Sequence, residues 1–510
     1  MKSSILLSLF LIFTISVSAQ TKLTLNPDQA KDKINKEIYG HFAEHLGHCI
    51  YGGIYVGEDS EIPNIRGFRD DVIGALKDMQ IPVLRWPGGC FADTYHWKDG
   101  IGPREQRPSI INVHWGGVTE DNSFGTHEFL DFCELIGAEP YININVGSGT
   151  VQEASEWVEY VTSANKSPMT DLRKKNGREE PWNVKYWAIG NENWGCGGNM
   201  TPDYYSDVYK RFASFTRGDL YRIACGPNSD DYNWMDVMMD KVQPFGGLMQ
   251  GISLHYYTIQ TGNWNDKGNA TGFGEKEWFE TLHKTLEMET LVTRHSTIMD
   301  KYDPQKRVGL MVDEWGNWFN VEEETNPGFL YQQNSLRDAM VAAVNLNIFN
   351  NHADRVKMAN IAQMVNVLQS VILTKDNEMV LTPTYYVFKL YSVHQDALLV
   401  PEYLKTGGYT FGGESVSKVS SSSSVKEGVL SVTLCNLDPN KNETVEIEIN
   451  GTANYSSAKG QIVTASKLNA FNDFGKNEEV SMKEFSVDKP KNGKLTIELP
   501  AKSVVLLQMN

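Results

Sequence analysis

Two short segments carry the residues best equipped for chemistry. Trp187-Ala188-Ile189-Gly190-Asn191-Glu192-Asn193 runs from an apolar stretch straight into consecutive polar side chains. Gly309-Leu310-Met311-Val312-Asp313-Glu314-Trp315 does the same and ends in carboxylates. A buried strand that stops at such groups aims them into a cleft at the rim of its sheet. Two carboxylates on opposite sides of one cleft are the equipment for glycoside hydrolysis: one protonates the leaving oxygen and the other attacks the anomeric carbon. Either glutamate alone could be a solvated strand end. Further strand ends add Glu44, Arg85 to Phe91, Asn143 and Asn145, His255 to Tyr257, and Gln363. Each reads equally well as a satisfied core polar group. Their convergence on one rim is the informative part.

The elements that must position these groups follow a rhythm that starts near residue 37. Strands are expected near Ile38-Phe42, Val83-Trp86, Tyr141-Val146, Tyr186-Ile189, Arg222-Gly226, Gly251-Tyr256, Gly309-Val312 and Met358-Ala362. Between them lie helical patterns over Phe68 to Met79, Thr126 to Ile136, Ala154 to Ser163, Tyr204 to Thr216, Trp278 to Met299 and Leu336 to Phe349. Eight such repeats predict an α/β fold, a (β/α)8 TIM barrel over residues 37–384. Periodicity alone leaves a doubly wound sheet open. From 385 to 510 helical periods give way to short alternating runs and turns, the pattern of an antiparallel, jelly-roll-like β-sandwich. Residues 20–36 read as a strand segment that packs on that second domain. The serine run Ser420 to Ser424 is expected to be an exposed loop.

Composition narrows the partners. The chain of 510 residues is 41% apolar and 22% charged, as globular proteins are. Its net charge of −17 argues against nucleic acid and against anionic membranes. Lys2, the apolar run Ile5 to Val17 and the small residues Val17-Ser18-Ala19 describe a signal peptide over 1–19. They predict export, to the periplasm or the extracellular space. The six cysteines are scattered and include no C-x-x-C pair. Cys90 and Cys196 each follow a motif assigned to the cleft, which leaves a bridge between them open. Buried free thiols are expected for the other four.

The motifs together resemble the α-L-arabinofuranosidases of glycoside hydrolase family 51. The resemblance rests on Tyr39-Gly40-His41-Phe42-Ala43-Glu44-His45-Leu46-Gly47, Arg85-Trp86-Pro87-Gly88-Gly89 and Trp97-Lys98-Asp99-Gly100-Ile101-Gly102-Pro103. Gly190-Asn191-Glu192, Asp313-Glu314-Trp315 and Gln363-Met364-Val365-Asn366-Val367 follow in the right order. The family implies Glu192 as general acid/base and Glu314 as nucleophile. Asn191 would bond the sugar 2-hydroxyl and Glu44 other hydroxyls. Tyr257 would orient the nucleophile, with His255 beside it, and Gln363 would meet the primary hydroxyl region. Cys90 is a further contact, standing where some members carry asparagine. Trp97, Trp115 and Trp194 are candidate aromatic walls, and Thr258 to Gly274 should lie over the cleft. The resemblance also leaves a homo-oligomer open.

The activity so implied is a retaining, exo-acting α-L-arabinofuranosidase that releases terminal arabinofuranose from arabinan- or arabinoxylan-type polysaccharides or their oligosaccharides. Retention places the two carboxyl groups about 5 Å apart. The carboxylates supply both nucleophile and proton, so neither cofactor nor metal is expected, and no Asp-x-Asp-x-Asp loop argues otherwise. Two other readings remain at this stage. One is an endo-β-glycanase acting on glucan or xylan from the same barrel. The other is a non-catalytic carbohydrate-binding protein, against which the presence of both glutamates speaks.

Overall fold

The computed structural model describes residues 21–510. The segment 1–19 read as a signal peptide lies outside the described residues. Eight parallel strands close in chain order: β1 Gly40–Phe42, β2 Val83–Trp86, β3 Glu139–Ile144, β4 Tyr186–Ile189, β5 Tyr221–Ala224, β6 Gly251–Thr258, β7 Gly309–Asn317 and β8 Val356–Ile361. Each overlaps the strand expected from sequence. β8 pairs with β1 through Asn360 and Gly40, so the sheet is a closed barrel and not a doubly wound one.

Strand period explains what each side chain does. On β2, Val83 faces the barrel axis, while Leu84 and Trp86 face the helices. Two residues above Val83, on the same inner face, comes Arg85. Tyr141, Tyr186, Ala188, Ile223, Met311 and Met358 complete the inner apolar layer. Gly40 is required there, because a Cβ at this position would lie 2.3 Å from Asn360 Oδ1.

The outer ring contains the helices read from sequence, with two differences. Trp278 to Met299 is not one helix but two, Glu275–Thr285 and Glu287–Tyr302. Helices Pro168–Lys175, Tyr232–Val242 and Pro383–Tyr391 had no counterpart in the sequence reading. The last is buried at every residue except Lys389, so no polar stripe marks it as a surface helix. It runs across the 384/385 boundary drawn from sequence. Leu336–Asn351 starts at a capping box, where the Ser335 hydroxyl accepts the Arg337 N–H and Asp338 accepts the Ser335 N–H.

The second domain is a two-sheet sandwich. Thr21–Leu25 enters its four-stranded sheet, antiparallel to Glu402–Lys405 and parallel to Glu443–Ile449. That one parallel pair is a departure from the purely antiparallel sandwich expected. It arises because the strand comes from the far end of the chain rather than from a hairpin. Leu23, Leu25, Val445, Ile447, Val505 and Leu507 form part of the inter-sheet core.

The serine run corrects the sequence reading. Ser420 to Ser424 lies within the strand Val419–Lys426, and Ser421 to Ser424 are buried. The strand packs on helix Leu336–Asn351 from the barrel. Ser422 donates to Asn347 Oδ1 and accepts from Asn350 Nδ2, both at 3.0 Å, and Ser424 meets His394 Nδ1 at 2.7 Å. Serines survive burial here because each hydroxyl finds a partner: Ser422 on the barrel helix across the domain junction, Ser421 and Ser423 on Glu402 and Ser424 on His394.

Candidate active site

Glu314 owes its direction to a bulge. Along β6 and β7, Met311 pairs with Ser253 but Glu314 pairs with His255, so β7 carries one extra residue. In a regular strand Asp313 would face the axis and Glu314 the helices. With the bulge Asp313 still faces the barrel interior, while Glu314 turns to the cleft and Trp315 returns to the helix layer. Asp313 then accepts from the Tyr141 hydroxyl at 2.7 Å and Asn360 Nδ2 at 2.8 Å.

Glu192 is placed by a tight loop after β4. Gly190 and Glu192 both have positive φ, 85° and 43°. For glutamate that is a sparsely populated conformation, sustained only by the surroundings. The surroundings are explicit. The buried Asp93 carboxylate accepts the N–H groups of Asn191, Val146 and Gly147 at 2.9, 2.6 and 2.7 Å. The Glu192 carbonyl accepts Gly195 N–H at 2.7 Å, and Asn193 Nδ2 donates to Gly197 O at 2.8 Å. A disulfide joins Cys196 of this loop to Cys90 of the β2 loop. The remaining four cysteines are free and buried.

His255 Nδ1 lies 2.9 Å from Glu192 and 3.7 Å from Glu314. One oxygen of each carboxyl and this nitrogen all fall within 4.8 Å of one another. The two glutamates nevertheless live in different fields. Arg85 Nη1 donates to Glu314 Oε1 at 2.8 Å, and the Tyr257 hydroxyl donates to its Oε2 at 2.8 Å. Burial pushes the Glu314 carboxyl up, but the His255 and Arg85 charges and these two hydrogen bonds outweigh it and hold it below the usual range. Glu192 is raised, first by burial and then by repulsion from Glu314, with His255 offsetting only part. His255, though buried, is raised because Glu314 and Glu192 both face it. One carboxyl is biased toward its ionised form and its neighbour toward the protonated form.

Glu44, Cys90, His255, Tyr257 and Gln363 line a cavity of about 330 Å³ together with Glu192 and Glu314. Glu44 Oε1 accepts from Phe91 N–H at 3.0 Å and Trp115 Nε1 at 2.8 Å, and its Oε2 from Gln363 Nε2 at 2.8 Å. Burial and then the nearby Glu314 charge push Glu44 up to about 7. Asn191 sits just behind, its Oδ1 taken by Arg85 Nη2, while its buried Nδ2 has no protein partner. An unpaired buried amide beside the carboxylates is a ready donor for a sugar hydroxyl.

Trp97 does not belong to this group. It is 1% exposed, stacks on Trp157 at 6.0 Å and donates its Nε1–H to Glu153 O. Its segment does not line the cavity. Trp115, Trp194 and Trp264 do line the cavity, the last from the loop after β6. Sequence reading missed Trp318, which lies four residues beyond Glu314 and packs edge-on against Tyr257. It also gave no role to Arg85, Asp93 or Asn228. Arg85 had a signal, since an arginine two residues above an inward valine must face the barrel axis. Asn228, Leu46, Leu330 and Leu368 line the cavity from loops and carried none.

Comparison with known proteins places this geometry. Residues 75–244 match the α-L-arabinofuranosidase 1 domain, and residues 313–503 the α-L-arabinofuranosidase C-terminal domain. The chain is 52% identical, over all of both chains, to the intracellular exo-α-L-arabinofuranosidase of Bacteroides ovatus. The chain belongs to the α-L-arabinofuranosidases of glycoside hydrolase family 51. The crystal structure of the family 51 arabinofuranosidase from Xanthomonas axonopodis pv. citri superposes with a TM-score of 0.94 at 47% identity, covering 96% of this chain and 100% of that one. The arabinose complex of the Thermotoga maritima α-L-arabinofuranosidase gives 0.83 at 30% identity, covering 96% and 99%. The arabinofuranosidase is thus a glycoside hydrolase on a barrel with a sandwich domain. The expectation of export is corrected at the same point. The Bacteroides ovatus relative, matched end to end, is named as intracellular, which overturns a periplasmic or extracellular assignment.

Proposed function

We propose that the enzyme is exo-acting and retaining, with Glu314 as nucleophile and Glu192 as acid/base. The observation that carries this is the pair of carboxyls whose proton affinities are driven apart while one oxygen of each stays within 4.8 Å of the other's. Retaining glycosidases keep their carboxyls about 5–5.5 Å apart, whereas inverting ones leave about 6.5–9.5 Å for a water. Glu314, ionised and held by Arg85 and Tyr257, attacks the anomeric carbon of an arabinofuranosyl group. Glu192, protonated, delivers its proton to the departing glycosidic oxygen. The covalent arabinosyl-enzyme is then opened by water, whose proton Glu192 takes back.

A cavity of about 330 Å³ is at the small end of ligand pockets. It suits a terminal sugar better than an internal stretch of polymer, and the Bacteroides ovatus relative is named an exo-enzyme. Side-chain arabinofuranose of arabinan- or arabinoxylan-type polysaccharides, or of their oligosaccharides, is the substrate class. Glu44, Gln363 and the free amide of Asn191 supply the polar contacts and Trp115, Trp194 and Trp318 the walls.

The test is hydrolysis of a nitrophenyl α-L-arabinofuranoside by the wild type, Glu192→Ala and Glu314→Ala. Both variants lose most turnover. Azide restores it in Glu192→Ala by attacking the arabinosyl-enzyme without needing a base, and an arabinosyl azide of retained configuration accumulates. An azide product of inverted configuration, or rescue of Glu314→Ala alone, reverses the assignment.

A further inference from the structure

The disulfide between Cys90, which lines the cavity, and Cys196 does more than tie two loops. Glu192 Oε2 lies 3.5 Å from Cys196 Sγ and 3.9 Å from Cys90 Sγ. Disulfide sulfurs carry no proton, so in the bridged form these are contacts and not hydrogen bonds. One ligand atom from each of Cys90, Glu192 and Cys196 falls within 4.8 Å of the other two. The three come from two loops fixed by other means: the Glu192 loop by Asp93 and Asn193, and the Cys90 loop by the Phe91 N–H to Glu44 bond and by Asn143 Nδ2 bonding Gly88 O at 2.6 Å. With the two Cα atoms 5.5 Å apart, opening the bridge leaves both sulfurs beside the same carboxylate oxygen.

We propose that reduction of Cys90–Cys196 creates a binding site for a soft divalent cation of the zinc and cadmium class, formed by two thiolates and the Glu192 carboxylate. Two sulfurs and one carboxylate oxygen with the fourth position open to the cavity are a suitable donor set for tetrahedral zinc. His255 Nδ1, at 2.9 Å from the other Glu192 oxygen, is placed to orient that carboxylate as an outer partner. The redox step balances with a dithiol as reductant. Its thiolate attacks one sulfur, its second thiol resolves the mixed disulfide, and it leaves as the cyclic disulfide. Two electrons and two protons pass to Cys90 and Cys196. The cation then displaces the thiol protons. Cys90 lines the cavity and both bridge cysteines are partly exposed, so reductant and metal reach them, while the other four cysteines are buried.

A cation on Glu192 takes the oxygen lone pair that must carry the catalytic proton. The reduced enzyme is therefore inhibited by the metal and the bridged enzyme is not. This consequence rests on Glu192 being the proton donor; the binding itself does not.

The experiment uses the full chain, reduced with a phosphine and freed of it anaerobically, and titrated with Cd2+ alone. The reduced wild type takes up one equivalent with a cadmium–thiolate charge-transfer band in the ultraviolet, and the oxidised wild type shows none. Cys90→Ser and Cys196→Ser each lose the band, and Glu192→Gln weakens binding by about tenfold or more. Turnover of the reduced wild type falls by about tenfold or more at saturation and returns on adding EDTA, each protein being compared with itself before metal. A band that survives in Cys196→Ser, or no band in the reduced wild type, overturns the site. A band with undiminished turnover overturns its link to proton donation at Glu192.

Discussion

Arg85, with His255 and Tyr257, keeps the two glutamates different, and its replacement by lysine separates charge from geometry. The guanidinium is 1% exposed and lies against the Phe42 ring. It donates to Glu314 Oε1, to the Asp313 carbonyl at 3.3 Å and to Asn191 Oδ1, with its Nε 3.8 Å from the Asp313 carboxylate. An ammonium keeps the charge but cannot present a planar fork to several acceptors at once. Arg85→Lys therefore loses at least one charge-assisted hydrogen bond, about 1.5–3 kcal/mol. If that interaction is felt in the transition state, kcat/KM falls by about 10- to 150-fold. Arg85→Gln removes the charge as well, leaves Asp313 and Glu314 buried without their cation, and destabilises the fold by about 3–5 kcal/mol. The diagnostic assay is the pH profile of kcat/KM. With Glu314 as the proposed nucleophile, activity on the acid side requires its ionised form, which Arg85 helps to hold low, so losing the cation moves the acid limb to higher pH. The shift is large in Arg85→Gln and small in Arg85→Lys. With Glu192 as the proposed acid/base, the alkaline limb follows loss of its proton and moves up as well in Arg85→Gln, since Arg85 also helps to lower Glu192. An acid limb unmoved in Arg85→Gln, in protein that still unfolds cooperatively, refutes the electrostatic assignment.

Three further outcomes follow from single side chains. Glu44 is pushed up to about 7 in the fold against 4.5 ordinarily, so the native state binds the extra proton between these values and stability falls as pH rises through that window. Glu44→Gln removes up to about 3 kcal/mol of that dependence, read from urea midpoints at pH 5 and pH 8; the part due to Asp93, also pushed to about 7, remains. Trp97→Ala, in the core and not in the cavity, lowers stability by about 3–5 kcal/mol and leaves KM unchanged, measured by denaturation and steady-state kinetics. Ser422→Ala strips one partner each from Asn347 and Asn350 at the domain junction; it costs about 1–3 kcal/mol in calorimetry without altering turnover.

Much of this enzyme is determined along the chain. Eight apolar strand segments alternate with amphipathic stretches, and period two on β2 puts Arg85 on the face of Val83, which the closed barrel makes the inner one. Asn191-Glu192 and Asp313-Glu314 are visible because polar residues at the end of an apolar run stand out, although β7 extends through both of the latter and Asp313 turns into the barrel. Local chemistry could not reveal the rest. The serine run reads as a loop, since hydroxyls look solvated until Asn347, Asn350 and His394 arrive from distant elements to satisfy them. Trp97 reads as a wall because an aromatic in a motif gives no sign of which side it packs on; Trp157, 60 positions along, decides that. The direction of Glu314 depends on a bulge set by pairing with β6. The opposite proton affinities of Glu192 and Glu314 depend on Arg85 from β2 and on His255 and Tyr257 from β6, contributions of two strands far apart in sequence that meet at one point. Side-chain type and spacing determine which groups a barrel offers at its rim. Their protonation and aim are decided by fields and contacts between residues far apart in sequence, which exist only once the barrel is closed.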